Sequence, residues 1–156
     1  MTVHGRTTKL VEVYEKYIKG TPEKGLVEEK KFLVCFLTQA VCKGMNFNSN
    51  KVYISTRVLK HMYDKKPAEE FNFLLVNLNK IVRYPDHIYA NKLGKRGDIC
   101  LQKCVAGNQY LCSIEFVGTE EEQKEIQITT AFRIRKSNYL LGYKLLWSWK
   151  GDIPSS

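Results

Sequence analysis

Apolar residues recur at helical spacing in three segments of the first half of the chain. The first predicted helix spans residues 8–18, whose apolar side chains fall on one face. The second begins at Ser55 or Thr56, and the third runs from Ala68 to about Val82. The residues expected on the buried stripe of the third helix are Phe71, Leu74, Leu75, Leu78 and Val82.

The apolar segment from Lys31 to Val41 fits two patterns. The alternation from Phe32 to Phe36 suits a strand, whereas Leu33 and Leu37 also fit a buried helix. We favour the helix for this segment. After a polar break, residues 52–54 predict a short strand.

The second half of the chain changes to strand-like alternation. Predicted strands cover residues 87–90, 99–106, 109–117 and 125–134, with a last one near 143–149. Gly107-Asn108 is expected to form the tight turn between the second and the third of them. Helices followed by an antiparallel meander of about four strands predict an α+β fold. We expect a single domain over residues 1–156, with a helical part over 1–50 and a core over 51–156.

The composition predicts a soluble, folded protein. Of the 156 residues, 44% are hydrophobic, which is enough for a core without a disulfide or a metal. No apolar run reaches the roughly 20 residues of a bilayer span, and residues 1–9 lack the apolar core of a secretory signal. The 5 cysteines are odd in number and lack zinc spacing. We therefore expect reduced thiols in a cytoplasmic protein that does not associate with membranes.

The charge is uneven along the chain and indicates a polyanionic partner. Lys and Arg number 25 against 16 Asp and Glu, a net charge of +9, and residues 51–110 carry +6 of it. A concentrated positive surface most often attracts nucleic acid. The alternative is a solvated basic surface without a partner.

His61 is the histidine whose surroundings best suit chemistry. It lies on the second predicted helix, within one turn of Arg57, Lys60 and Lys65. Cations can hold a phosphate while an imidazole moves a proton, so this arrangement suits a reaction at a phosphate. The alternative is a histidine that only packs at the edge of the core. We interpret His87 as structural, because it begins a predicted strand.

A basic segment, residues 91–97, precedes one of the predicted strands. Its Lys92, Lys95 and Arg96 lie among glycines, which let a backbone approach a phosphate closely. The segment lacks the spacing of a nucleoside-triphosphate loop, so we interpret it as a general anion site. A basic surface hairpin would show the same pattern.

The predicted strand 125–134 carries hydroxyl and basic side chains. Alternation assigns Arg133 and Arg135 to one face and Thr130 to the other, and it turns Thr130 toward the packed side unless the strand bulges. The two arginines form a short ladder that can grip phosphates, while an exposed strand of alternating charge is the alternative. Tyr139 and Tyr143 follow and add aromatic surface on which bases can stack.

Several kinds of catalytic site are absent from the sequence. It has no acidic cluster of the kind that two-metal nucleases need, no nucleophile elbow and no dinucleotide-binding turn. A reaction without a metal ion or a cofactor is therefore favoured.

The run from Tyr53 to Trp149 resembles the phage-associated branch of the barnase, EndoU, colicin and RelE-like ribonucleases, which share the BECR fold. The likeness is carried by Leu59-Lys60-His61, the run from Ile81 to Tyr89, Lys95-Arg96-Gly97-Asp98, the strand ending in Glu115, Thr129-Thr130-Ala131-Phe132, and the run from Tyr139 to Trp147. The resemblance implies helices packed on a four-stranded antiparallel sheet, a nuclease-like core over residues 51–156, and cleavage of RNA without a metal ion.

The resemblance also implies site residues. The catalytic set is His61, Thr130 and one cation among Lys92, Lys95 and Arg96, of which Lys92 is taken as catalytic and Thr129 competes with Thr130. The residues assigned to substrate binding are Lys60, Lys95, Arg96, Arg133 and Arg135.

These inferences predict a metal-independent endoribonuclease. In it, a ribose 2′-hydroxyl attacks the adjacent phosphate and leaves a 2′,3′-cyclic phosphate. The expected partner is RNA, and a role as an effector or toxin of a phage or mobile element would add a cognate inhibitor protein. The alternative is a non-catalytic module of the same fold that binds nucleic acid or inhibits a host protein.

Overall fold

The computed structural model describes residues 7–91, 98–118 and 125–150. Its helices are α1 (Leu10–Val13), which continues as a π-helical turn (Tyr14–Ile18), α2 (Gln39–Met45), α3 (Thr56–Lys65) and α4 (Ala68–Arg83). Its strands are β1 (Lys31–Phe36), β2 (Lys51–Ser55), β3 (His87–Ala90), β4 (Ile99–Val105), β5 (Asn108–Val117), β6 (Glu125–Ile134) and β7 (Leu145–Ser148). The three predicted helices are therefore confirmed.

Side-chain caps define where α2 and α3 begin. Thr38 Oγ1 accepts a hydrogen bond from Val41 N at 3.2 Å, and Ser55 Oγ accepts one from Val58 N at 3.1 Å. α4 begins directly after Pro67, and all the residues predicted for its stripe are buried. Capping and the helical period thus act here as the sequence predicts.

The seven strands of the described residues form one mixed sheet in the order β1-β2-β6-β5-β4-β3-β7. β2 and β6 are parallel, and the other neighbouring pairs are antiparallel. The α+β class is confirmed, but a simple meander of about four strands is wrong. The four predicted strands, β3 to β6, form the middle of the sheet. The β1–β2 pair extends it beside β6, and β7 returns beside β3.

The segment Lys31–Phe36 is a strand and not the predicted helix. Leu33, Val34 and Cys35 are all buried, and the pairing with β2 is irregular between Leu33 and Cys35. A strand buried on consecutive residues has a continuous apolar run, which periodicity cannot separate from a buried helix. The helix of this region, α2, begins only after Thr38.

The helices lie against one face of the sheet. α4 contributes fully buried side chains to this contact, among them Leu74, Leu78 and Ile81. The face that they cover, the helix-covered face, carries Ile88, Leu101, Cys112, Ile114, Ile128 and Ala131. The opposite face, the open face, carries His87, Tyr89, Cys100, Gln102, Leu111, Ser113, Thr130 and Phe132.

The β4–β5 hairpin turns one residue earlier than predicted. Val105 pairs with Asn108, so the two turn residues are Ala106 and Gly107, with φ of 52° and 81°. A two-residue hairpin needs this left-handed backbone, which glycine adopts at no steric cost.

Two further predictions concern the state of the cysteines and the presence of membrane-spanning helices. The five cysteines are free thiols, and Cys35, Cys100 and Cys112 are buried, as predicted for small apolar side chains. Among the described helices, none combines the length and the apolar character that crossing a membrane requires.

Candidate functional site

A cavity of about 380 Å³ lies on the open face of the sheet. β4, β5 and β6 form its floor, and the chain between β6 and β7 forms one wall. Its lining residues are Asn91, Cys100, Leu111, Ser113, Thr130, Phe132, Tyr139 and Tyr143. The cavity therefore combines hydroxyl and amide groups with aromatic rings, a mixture that suits a polar ligand with a flat ring system.

A β-bulge turns Thr130 into this cavity. The pairing of β5 with β6 skips Thr129, so β6 has one extra residue there. Ile128 before the bulge and Ala131 after it both face the helices, which leaves Thr130 on the open face. The sequence places Thr130 on the packed side unless the strand bulges, and the bulge that the structure shows reverses the face that residues after Ile128 present to the helices.

Thr129, the competitor of Thr130, is held inside the sheet. It is buried, and its Oγ1 donates a hydrogen bond to the Ser113 carbonyl at 3.2 Å. Ser113 is also the cross-strand partner of Thr130, and its Oγ lies 3.6 Å from the Cys100 Sγ. Of the two threonines, Thr130 is thus the one whose side chain a ligand in the cavity can contact.

Tyr139 and Tyr143 form an aromatic wall of the cavity. The Tyr139 ring lies edge-on to Phe132, with 5.5 Å between the centroids, and 5.9 Å from the Tyr143 ring. Burial, together with a hydrogen bond to Tyr139, raises the pKa of Tyr143 to about 12. The Tyr143 phenol is therefore neutral at physiological pH.

α3 lies along the edge of β6 next to the cavity. β2 pairs with β6 only at residues 126–127, and α3 begins directly after β2. At the other end of α3, Lys66 Nζ lies 5.5 Å from the centroid of the Phe132 ring. The helix therefore runs beside the part of β6 that contains Thr130.

His61 lies on the solvent-exposed side of α3. Leu59 and Met62 are buried in the core, and Tyr63 packs against aromatic rings of the helical layer. Residues of an α-helix are about 100° apart, so His61 points roughly 160 to 200° away from Leu59 and Tyr63. It therefore faces away from the helical layer, into solvent. His61 and Thr130 come from neighbouring elements, α3 and β6, but His61 does not line the cavity itself.

Lys60 is buried and its ammonium is paired within the fold, which speaks against its predicted role in substrate binding. Its Nζ donates hydrogen bonds to the Pro22 carbonyl at 2.6 Å and to Asp64 Oδ1 at 2.7 Å. Burial acts to raise the pKa of Asp64, but hydrogen bonds from Lys60 and from Lys24 N, with the charge of Lys60, lower it overall. Lys60 therefore holds the turn after Pro22 against α3.

We expect Lys60→Ala to destabilise the fold by about 3 kcal/mol, because it leaves the Asp64 carboxylate buried without its cation. Lys65→Ala, at an exposed position of the same helix, should change the free energy of unfolding by less than about 0.5 kcal/mol. Urea denaturation of both variants measures the difference. A Lys60→Ala protein as stable as its parent would contradict this structural role.

Arg133 and Arg135 lie on the other side of β6 from Thr130. They line a shallow cavity together with Glu70 of α4. The Glu70 carboxylate accepts a hydrogen bond from Arg133 N at 3.2 Å and pairs with the Arg135 guanidinium at 2.5 Å. The predicted arginine ladder exists, but it faces the helix-covered side, so Arg133 and Arg135 do not share the cavity with Thr130.

His87 lies on the open face but far from Thr130. Its Nδ1 lies 2.8 Å from Gln102 Oε1. β3 is separated from β6 by β4 and β5, which makes three strand spacings of about 4.8 Å each. His87 and Thr130 therefore cannot contact one phosphate, which agrees with the interpretation of His87 as structural.

The basic segment falls mostly outside the described residues. Lys92, Lys95 and Arg96 lie there, and their roles stay predictions, whereas the preceding Asn91 lines the cavity. Within the part of the chain that the structure describes, no group of three or more His, Cys, Asp or Glu side chains is arranged to hold a metal ion.

Two residues near this cavity were missed by the sequence reasoning. Ser113 and Leu111 are two residues apart and share one face of β5, so period-two alternation predicts that Ser113 lies on the same face as Leu111. Lys66 lies near Phe132 because of the turn between α3 and α4, and no local pattern indicates that contact.

A family model matches the greater part of the chain. The model described as phage-Barnase-EndoU-ColicinE5/D-RelE like nuclease3 matches residues 31–139. This range contains α3, the bulge in β6 and the floor of the cavity. No curated protein and no solved structure matches the chain.

Proposed function

The chain belongs to the phage-Barnase-EndoU-ColicinE5/D-RelE like nuclease3 family, and we propose on this premise that it is an endoribonuclease that cleaves RNA without a metal ion. Membership supports nuclease activity in general. The choice of RNA, the cyclic phosphate product and the catalytic residues are proposals about this chain's own residues.

The observation that carries the proposal is the cavity beside α3. Thr130 presents a hydroxyl in it, and the aromatic wall of Tyr139 and Tyr143 can stack against a base. His61 is exposed on α3, the helix that contacts β6. The proposal requires a phosphodiester that reaches both the Thr130 hydroxyl and this imidazole.

In the proposed reaction, His61 removes the proton of a ribose 2′-hydroxyl. The 2′-oxygen forms a bond to the adjacent phosphorus, and the bond from phosphorus to the 5′-oxygen of the next nucleotide breaks. The departing 5′-oxygen takes up a proton from solvent water, His61 releases its proton to solvent, and the product carries a 2′,3′-cyclic phosphate. Thr130 donates a hydrogen bond to a non-bridging oxygen, where negative charge increases in the transition state.

Cationic side chains complete the proposed site. Lys92 is the proposed catalytic cation, and Lys95 and Arg96 are proposed to bind neighbouring phosphates, since all three follow Asn91 of the cavity in the sequence. The proposed set does not contain Lys60, which is paired within the fold, or Arg133 and Arg135, which lie on the helix-covered side.

Incubation of the purified protein with mixed RNAs in EDTA tests the proposal. We expect cleavage, with 2′,3′-cyclic phosphate ends identified by mass spectrometry of the fragments. RNA that stays intact, or that is cut only after Mg²⁺ is added, would contradict it. Salt-sensitive RNA binding without cleavage would instead favour the non-catalytic module.

We also propose that the nuclease acts as an effector or toxin of a phage or mobile element. Expression of the protein should then slow bacterial growth, and His61→Ala should relieve the effect. Equal growth of cells that express either protein would contradict this role. A cognate inhibitor protein belongs to the same hypothesis.

A further inference from the structure

Lys66 is a cation at the rim of the cavity for which no role has been assigned so far. It follows the last residue of α3 and is half-buried. Its Nζ lies 5.5 Å from the centroid of the Phe132 ring, and Phe132 lines the cavity. An ammonium group over an aromatic face is stabilised electrostatically, so this contact directs Lys66 to the open side of the β6 edge.

The charges around Lys66 leave it available for an anion. Glu70 and Arg135 lie close enough to influence it, but the Glu70 carboxylate pairs with Arg135. Among the ion pairs of the described residues, none includes Lys66. Burial lowers the pKa of Lys66, the charge of Glu70 acts to raise it and that of Arg135 to lower it. A partly desolvated cation that forms no ion pair with a carboxylate gains more electrostatic free energy from a bound phosphate than an exposed lysine does.

The reach of the side chain fits a phosphate at Thr130. Thr130 and Phe132 are two residues apart on the same face of β6, a distance of about 7 Å. The lysine stem has four rotatable carbons, so Nζ can move from the Phe132 ring toward a group bound at Thr130.

We propose that Lys66 binds the phosphate of the scissile nucleotide and stabilises the charge that this phosphate gains in the transition state. The inference rests on the proposed function, because it takes the substrate to be an RNA phosphodiester. It adds a described cation to a site whose other proposed cations lie in the basic segment.

The test compares Lys66→Met, Lys66→Arg and Lys80→Met. Methionine keeps the apolar stem of the lysine and removes its charge, and thermal unfolding checks that each variant is folded. We expect Lys66→Met to lower kcat/KM for RNA by about 10²- to 10³-fold, and Lys66→Arg to restore part of the activity. Lys80→Met, which changes an exposed lysine of α4, is expected to stay within about threefold.

A binding measurement separates this inference from the proposed function. For a single-stranded 2′-deoxy oligonucleotide, the slope of log affinity against log salt should become shallower by about 0.7 in Lys66→Met, since one phosphate contact is lost. A lysine with a purely structural role would not change this slope.

The possible results separate the role of Lys66 from the proposed nuclease function. If the parent protein cleaves RNA and Lys66→Met has unchanged kcat/KM and salt slope, the role of Lys66 is overturned while the proposed function stands. If the parent binds the oligonucleotide without cutting RNA and the slope changes in Lys66→Met, the phosphate contact stands and the nuclease mechanism fails. A parent protein that neither binds nor cuts overturns both.

Discussion

His61→Ala is expected to lower kcat/KM for RNA by about 10²- to 10⁴-fold, the range that a general base contributes. The reason is that the variant loses the group that removes the 2′-hydroxyl proton, while the exposed position of His61 leaves the core packing unchanged. Single-turnover cleavage of an end-labelled RNA measures the effect on the chemical step.

His87→Ala is the matched control for this prediction. His87 is the other histidine of the described residues, and it lies three strands away from Thr130. We expect its loss to change the rate by less than about tenfold, through local packing against Gln102 only. Equal rates for His61→Ala and the parent protein, or a larger loss in His87→Ala, would show that the imidazole has been assigned to the wrong residue.

The second large effect concerns the substrate. Replacing the ribose by 2′-deoxyribose at one position that the protein cuts should abolish cleavage at that position, because the attacking oxygen is gone. Cuts at other positions of the same molecule should continue. High-resolution gel analysis of the paired oligonucleotides, with and without the single 2′-hydroxyl, measures the effect.

Cleavage at the deoxy position at an unchanged rate would exclude 2′-hydroxyl attack. It would require water as the nucleophile, and the roles assigned to His61 and Thr130 would then need revision. Loss of cleavage at every position would instead indicate that the 2′-hydroxyl is used for binding as well as for chemistry.

Local signals predict the helices and the central strands well. Ser55 caps α3, and the buried stripe of α4 has the helical period. β3 to β6 alternate clearly enough that their bounds agree with the structure within one or two residues. These features depend on residues that are close together in the sequence, so each can be predicted from its own segment.

Long-range pairing explains most of the errors. β2 pairs in parallel with β6, more than seventy residues later, and this contact adds β1 and β2 to the sheet. No local pattern predicts such a pairing, because it depends on how the whole core closes. The error at β1 has a different cause, because burial on consecutive residues conceals the alternation of this strand.

Some positions in the candidate site follow from local sequence patterns, and others depend on contacts that these patterns do not show. His61 lies on the predicted helix, and its exposed position follows from the helical period. The orientation of Thr130 depends on a single extra residue in β6, which a sequence of two threonines does not reveal. Lys60 belongs to the same helix as His61 but is buried by the turn after Pro22, a contact between distant parts of the chain.

The central claim is that His61, from α3, and Thr130, in the cavity on the open face, act on one phosphate. A crystal structure of the protein with a single-stranded RNA that carries one 2′-deoxy nucleotide at the cut position tests it most directly. We expect Thr130 Oγ1 within about 3.2 Å of a phosphate oxygen, and an imidazole nitrogen of His61 at about hydrogen-bond reach of the missing 2′-hydroxyl. A nucleotide bound on the helix-covered side, or an imidazole more than about 10 Å from the bound phosphate, would contradict the claim.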